Sequence, residues 1–164
     1  MTILKTVNAG LEHALAVLFS LLFGLMIADV LLQVVSRNSG VAVLWTLDLA
    51  QLLFSWCIFI GAAVGVRRGS HYVITLLPEG MRRANSALKL VSDAVIVTVA
   101  LVMVAQGFAF SAMGSSTDVE SLGISQYWYF LPIPLSGILI LVFILEIAIA
   151  DLAAFAKAFR EEAS

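Results

Sequence analysis

Long apolar runs separated by short polar breaks dominate this chain. The first run covers about residues 13–36 and stops at the polar turn Arg37-Asn38-Ser39-Gly40. A second covers about 44–66 and stops at Arg67-Arg68-Gly69-Ser70. Further runs lie at about 90–112 and 131–155. A hydrocarbon core of about 30 Å takes roughly 20 helical residues at ~1.5 Å each, so each run predicts one membrane-spanning helix.

The stretch between the second and third runs needs separate treatment. His71-Tyr72-Val73-Ile74-Thr75-Leu76-Leu77 is apolar but too short to cross. Pro78 suits the first turn of a helix, and Glu79 lies where the helix dipole favours an acid. From there the helical pattern continues unbroken to Ala112, about 35 residues and roughly 50 Å, more than one bilayer core. Arg82, Arg83 and Lys89 are therefore expected in an interfacial segment, about 71–89, with snorkelling side chains. A polar loop from Gly114 to Gln126 separates the third and fourth runs, followed by the aromatic cluster Tyr127-Trp128-Tyr129-Phe130 expected at headgroup level. Pro132 and Pro134 open the last run. The expectation is an all-α membrane protein, one domain over 1–164, with four spans and no internal repeat.

Composition agrees. Hydrophobic residues make up 62% of the chain and charged residues 12%, against about 45–50% and about 25% in soluble domains. That excess cannot be hidden in a core this small, so lipid must solvate most of the surface. The net charge of -2 carries little information, and there is no basic patch for nucleic acid. Cys57, the sole cysteine, sits within a span and reads as an inert buried thiol. The first apolar run is longer than a 7–15-residue signal core, so its helix is expected to be retained.

Charge location sets the expected orientation. Lys5, Arg67, Arg68, Arg82, Arg83, Lys89, Lys157 and Arg160 fall at the two ends and in the second-to-third connection. With four spans those segments share one side, leaving Arg37 alone on the other. The positive-inside rule places both termini in the cytoplasm.

Ionisable groups within a span cost about 2.5–3.5 kcal/mol each on insertion scales. Asp29 shares a helical face with Gln33 and Ser36, and Asp48 opens a stripe with Gln51 and Ser55. Asp93 lies near the start of the third span, Gln106 and Ser111 near its end, and Glu146 deep in the fourth. Each stripe points away from lipid. Two readings stand. Boundary pairing or protonation handles these acids, with Arg37 folding back to Asp29 or Asp48 and Arg67 or Arg68 reaching Asp93 or Glu146. Alternatively, a second membrane protein supplies basic or hydrogen-bonding partners. No nucleophile–base pair, phosphate loop or metal-ligand spacing is visible, so an enzyme is not expected. His13 and His71 sit at a membrane edge, which leaves a haem- or quinone-binding anchor of a respiratory oxidoreductase as an alternative. A small self-oligomerising exporter is the other, although no span is broken by Gly/Pro pairs as transporter binding helices often are.

Trp45-Thr46-Leu47-Asp48-Leu49-Ala50, and then Phe59-Ile60-Gly61-Ala62-Ala63-Val64-Gly65-Val66-Arg67-Arg68-Gly69-Ser70-His71, resemble the small (DctQ-type) membrane subunit of tripartite ATP-independent periplasmic (TRAP) transporters. The Leu131-Pro132-Ile133-Pro134 run, the length and the four-span hydropathy are similar to that family as well. Members often carry two adjacent acids after the aromatic residue, whereas here Leu47 precedes the single acid Asp48.

The resemblance implies a bacterial inner-membrane subunit that binds and scaffolds a larger multi-span subunit. That larger subunit would hold the sodium and substrate sites, so no cofactor is expected on this chain. A periplasmic binding protein would deliver an organic acid. On that view Asp29, Gln33, Asp48, Gln51, Ser55 and Glu146 are candidate partner-facing residues, and Gly61, Ala62, Ala63 and Gly65 let another helix approach closely. Trp45, Arg82, Arg83, Tyr127, Trp128 and Tyr129 are expected to anchor the membrane edges, and Arg67, Arg68 and His71 to fix the cytoplasmic edge through lipid headgroups or partner carboxylates.

Overall fold

The computed structural model describes residues 2–41, 43–69 and 82–161. Among them are four helices long and apolar enough to cross a membrane: α1 (Thr2–Asn38), α2 (Trp45–Arg67), α3 (Arg82–Met113) and α5 (Pro132–Glu161). A two-stranded hairpin, β1 (Asp118–Val119) and β2 (Ile124–Ser125), and the single turn α4 (Tyr127–Phe130) lie between α3 and α5.

Local chemistry explains several boundaries. α1 stops where Gly40 takes a φ of 75°, and the Val41 amide then donates to the Ser36 carbonyl at 3.0 Å, closing the last turn. Pro132 and Pro134 sit in the first turn of α5, where a helix needs no amide donor. α1 begins eleven residues before the expected span because Asn8 and Glu12 are held by side chains of α2 and α5. α3 is continuous from Arg82, so the later part of the expected interfacial segment belongs to the helix of the third span. The earlier part, with His71, lies outside the described residues.

Neighbouring contacts give the topology. Glu12 meets Arg68 while Phe19 meets Gly61, so α1 and α2 are antiparallel. Ser55 meets Tyr129 and Arg67 meets Glu146, so α2 and α5 run the same way. Gly107 meets Pro134 while Lys89 meets Asp151, so α3 and α5 are antiparallel. Lys5, Arg67, Arg68 and Lys89 therefore share one end of the molecule with the start of α1 and the end of α5, here called the basic end. Arg37 and the hairpin occupy the opposite, loop end.

The helices stand in an open row, α1–α2–α5–α3. A core of Leu15, Ile60, Ala63, Val64, Ala100, Ile140, Phe143 and Ile144 runs through the row nearer the basic end. The outer helices stay largely uncovered by protein, α1 and α3 each burying 11% of their most apolar stretch.

Candidate functional site

Several polar groups of the spans gather in two clusters, one at each end. At the basic end Arg67, in the last turn of α2, extends between α1 and α5. Its Nη1 lies 3.1 Å from Glu146 Oε2 and its Nε 3.7 Å from Glu12 Oε2. The second oxygen of Glu12 accepts from Arg68 Nε at 2.9 Å. Asn8, fully buried, donates its amide to Glu146 Oε2 at 2.6 Å. Two acids and two guanidinium groups balance, and one cluster ties three helices together. Arg67 Nε makes no hydrogen bond among the described residues, so its link to Glu12 is an ion pair only; guanidinium suits the position because it stays charged when removed from water.

At the loop end Asp48 lies in the first turn of α2, where the helix dipole favours an acid. The Ser121 hydroxyl, carried by the turn of the hairpin, donates to Asp48 Oδ2. The register Asp118↔Ser125 and Val119↔Ile124 sets that turn over α2. Tyr129 donates its hydroxyl to the Asp48 carbonyl at 2.9 Å. The Tyr129 carbonyl accepts from Ser55 at 2.7 Å, and the Trp128 carbonyl accepts from Trp56 Nε1 at 3.1 Å. Asp48, Gln51, Gln126 and Tyr129 line a cavity of about 200 Å³ here. Tyr129→Phe removes the hydroxyl bond and should lower stability by about 1 kcal/mol, read as a reduced thermal midpoint in detergent with the helical content unchanged.

The expected site residues separate clearly. Glu146 is satisfied inside the chain, by the boundary pairing with Arg67 that was one of the two readings. Asp48 and Ser55 are also bonded internally. Gly61 packs against the Phe19 ring and Ala63 is fully buried in the core, so at these two positions the close helix is the chain's own α1 or core. Ala62 and Gln51 are exposed, while Gln33 and Gly65 are half-buried. Tyr129 is buried within the chain at the loop end, its hydroxyl against the first turn of α2, whereas its neighbour Trp128 is exposed. Tyr127 is half-buried and Trp45 exposed. Arg67 belongs to the buried cluster, whereas Arg68 is largely exposed. Arg82 and Arg83 open α3.

Asp29 stands apart. It is 5% exposed, and neither carboxylate oxygen has a hydrogen-bond partner among the described residues. Arg37, expected to fold back toward it or toward Asp48, forms no ion pair among the described residues. Asn8 and Glu12 were absent from the sequence-derived candidates. Their signal was positional: Asn8, Glu12, Leu15, Phe19 and Leu22 follow each other at helical spacing on one face.

Four apolar helices and this polar architecture define a small multi-pass membrane protein. Residues 26–154 match the family described as tripartite ATP-independent periplasmic transporters, DctQ component, and the chain belongs to that family. The family is a transporter component, not an enzyme. The chain is 30% identical over 97 residues to the sialic acid TRAP transporter small permease protein SiaQ of Vibrio cholerae, covering 58% of this chain and 56% of that one. It is also 28% identical over 144 residues to the sialic acid TRAP transporter permease protein SiaT of Haemophilus influenzae, covering 84% of this chain but 22% of that one. The match thus spans just over half of the first relative and about a fifth of the second.

Proposed function

We propose that this chain is the non-catalytic small permease subunit of a sodium-coupled TRAP transporter for an organic acid. It stands as a fixed scaffold beside a large multi-span subunit, which holds sodium and substrate. A periplasmic protein delivers the solute to the loop end, and both termini face the cytoplasm of a bacterial inner membrane. The observation that carries this reading is the open row: its outer helices bury 11% of their most apolar stretches, leaving broad faces for a larger neighbour. The relative in Haemophilus influenzae supports it, since the region similar to this chain is there joined to a much longer permease polypeptide. Asp29 supports it too, as an intramembrane acid to which the described residues offer no donor. The charges of the basic end are consumed in joining α1, α2 and α5, which suits a scaffold. Family membership favours this reading over a respiratory anchor or an autonomous exporter.

The test is reconstitution. Affinity-tagged small subunit, produced with the large subunit of its transporter, should retain it in mild detergent. Proteoliposomes holding both, supplied with the binding protein and a sodium gradient, should accumulate a carboxylate solute, with sialic acid the first to try. The small subunit alone should accumulate none. Uptake by this chain unaided would overturn the proposal.

A further inference from the structure

One face of α3 has no neighbour in the chain. Val95, Val99, Val102, Gln106, Ala109 and Met113 follow one another at alternating spacings of four and three residues, and all are exposed. That spacing is the a/d seam of a heptad repeat, which lets a second helix pack along its length. The seam ends beside a groove of about 390 Å³ between α3 and α5, bordered also by Gly107, Phe110 and Ile133.

Valine and alanine on such a face would suit lipid as well as protein. Gln106 would not. It lies seven residues before the end of α3, about 10 Å along the helix and within an apolar span. Its side chain is shorter than that distance, and its amide makes no hydrogen bond among the described residues. Acyl chains offer neither donor nor acceptor at this depth, whereas a polar group on a neighbouring helix does. A single polar residue at an a position also fixes the register of two packed helices.

From this combination we infer that the α3 seam centred on Gln106 is the docking face for a transmembrane helix of the large subunit. That helix presents a hydrogen-bonding side chain at the depth of Gln106 and packs lengthwise over Val95, Val99, Val102 and Ala109. The inference rests on the proposed role as a small permease subunit and assigns it a surface.

Photo-crosslinking tests it in cells producing both subunits. A photoreactive residue is placed at Val99 or Gln106 on the seam, or at Leu101 or Phe108, which are exposed on the far side of the same helix. Adducts with the large subunit are expected from 99 and 106 but not from 101 and 108. Gln106→Leu should lower recovery of the large subunit roughly threefold, the scale of one intramembrane hydrogen bond. It should leave the thermal midpoint of the isolated small subunit unchanged, because Gln106 bonds nothing within it. Adducts from 101 and 108 alone, adducts with a second copy of this chain, or no adduct while the large subunit still co-purifies would each overturn the seam and leave the subunit assignment standing. Unchanged recovery with Gln106→Leu would remove the amide's role. Absence of the large subunit from every pull-down would sink the subunit assignment, and the seam with it.

Discussion

Arg67→Met should destabilise the isolated chain by about 3–5 kcal/mol, the scale for removing one partner from a buried ion pair. Arg67 lies between two acids and is 17% exposed, and Glu146 has no other cation within reach among the described residues. Methionine keeps much of the apolar stem but leaves Glu146 with the Asn8 amide alone. Arg68→Met serves as the control. Its side chain is 57% exposed, so the pair with Glu12 is worth no more than about 1 kcal/mol. Both variants are compared by thermal melting in one detergent. The double variant Arg67→Met/Glu146→Gln should recover much of the loss, since it removes the uncompensated buried charge while the glutamine carbonyl still accepts from Asn8. Equal effects of Arg67→Met and Arg68→Met would show that the cluster is only a surface network.

The second large effect is expected where α3 crosses α5. A Cβ on Gly137 would stand 2.9 Å from the Ala100 carbonyl oxygen and 3.0 Å from Met103 Cβ. On Gly107 it would meet the Pro134 nitrogen at 2.9 Å. These neighbours are backbone, ring or Cβ atoms that cannot rotate away, so accommodation requires the helices to separate. Gly137→Ala or Gly107→Ala should cost about 1–3 kcal/mol, as overpacking does in well-packed interiors. Gly10 and Gly24 in α1 have no atom within 4 Å of an added Cβ. Alanine there should be neutral or stabilise the helix by up to about 1 kcal/mol. A melting series over these four glycines checks the contrast, and a loss at Gly24 matching that at Gly137 would contradict the packing described.

The long helices were legible in the sequence because a span needs a continuous apolar run, and runs survive reading without a partner. α2 illustrates this, forming from Trp45 to Arg67 against an expected 44–66. Pairings were less legible. Periodicity tells which face of a helix is polar but not what lies opposite, so Glu146 could be matched with Arg67 only as one option. Asn8 and Glu12 were missed because they precede the apolar run and meet groups far along the chain. Tyr129 was grouped with its aromatic neighbours, yet one helical turn directs adjacent side chains differently, and only its hydroxyl reaches the Asp48 carbonyl. The hairpin left little trace, since two residues per strand are too few for alternation to register.

The clamp at the basic end also bears on how the chain assembles during synthesis. Glu12 and Arg67 belong to the first two helices and Arg68 directly follows the second, so their mutual attraction is available before the ribosome has made the last span. Glu146 is then delivered to a cation already held in position, shortening the time a carboxylate spends in lipid without a counterion. In nascent chains halted before residue 146, cysteines placed at positions 12 and 68 should already crosslink.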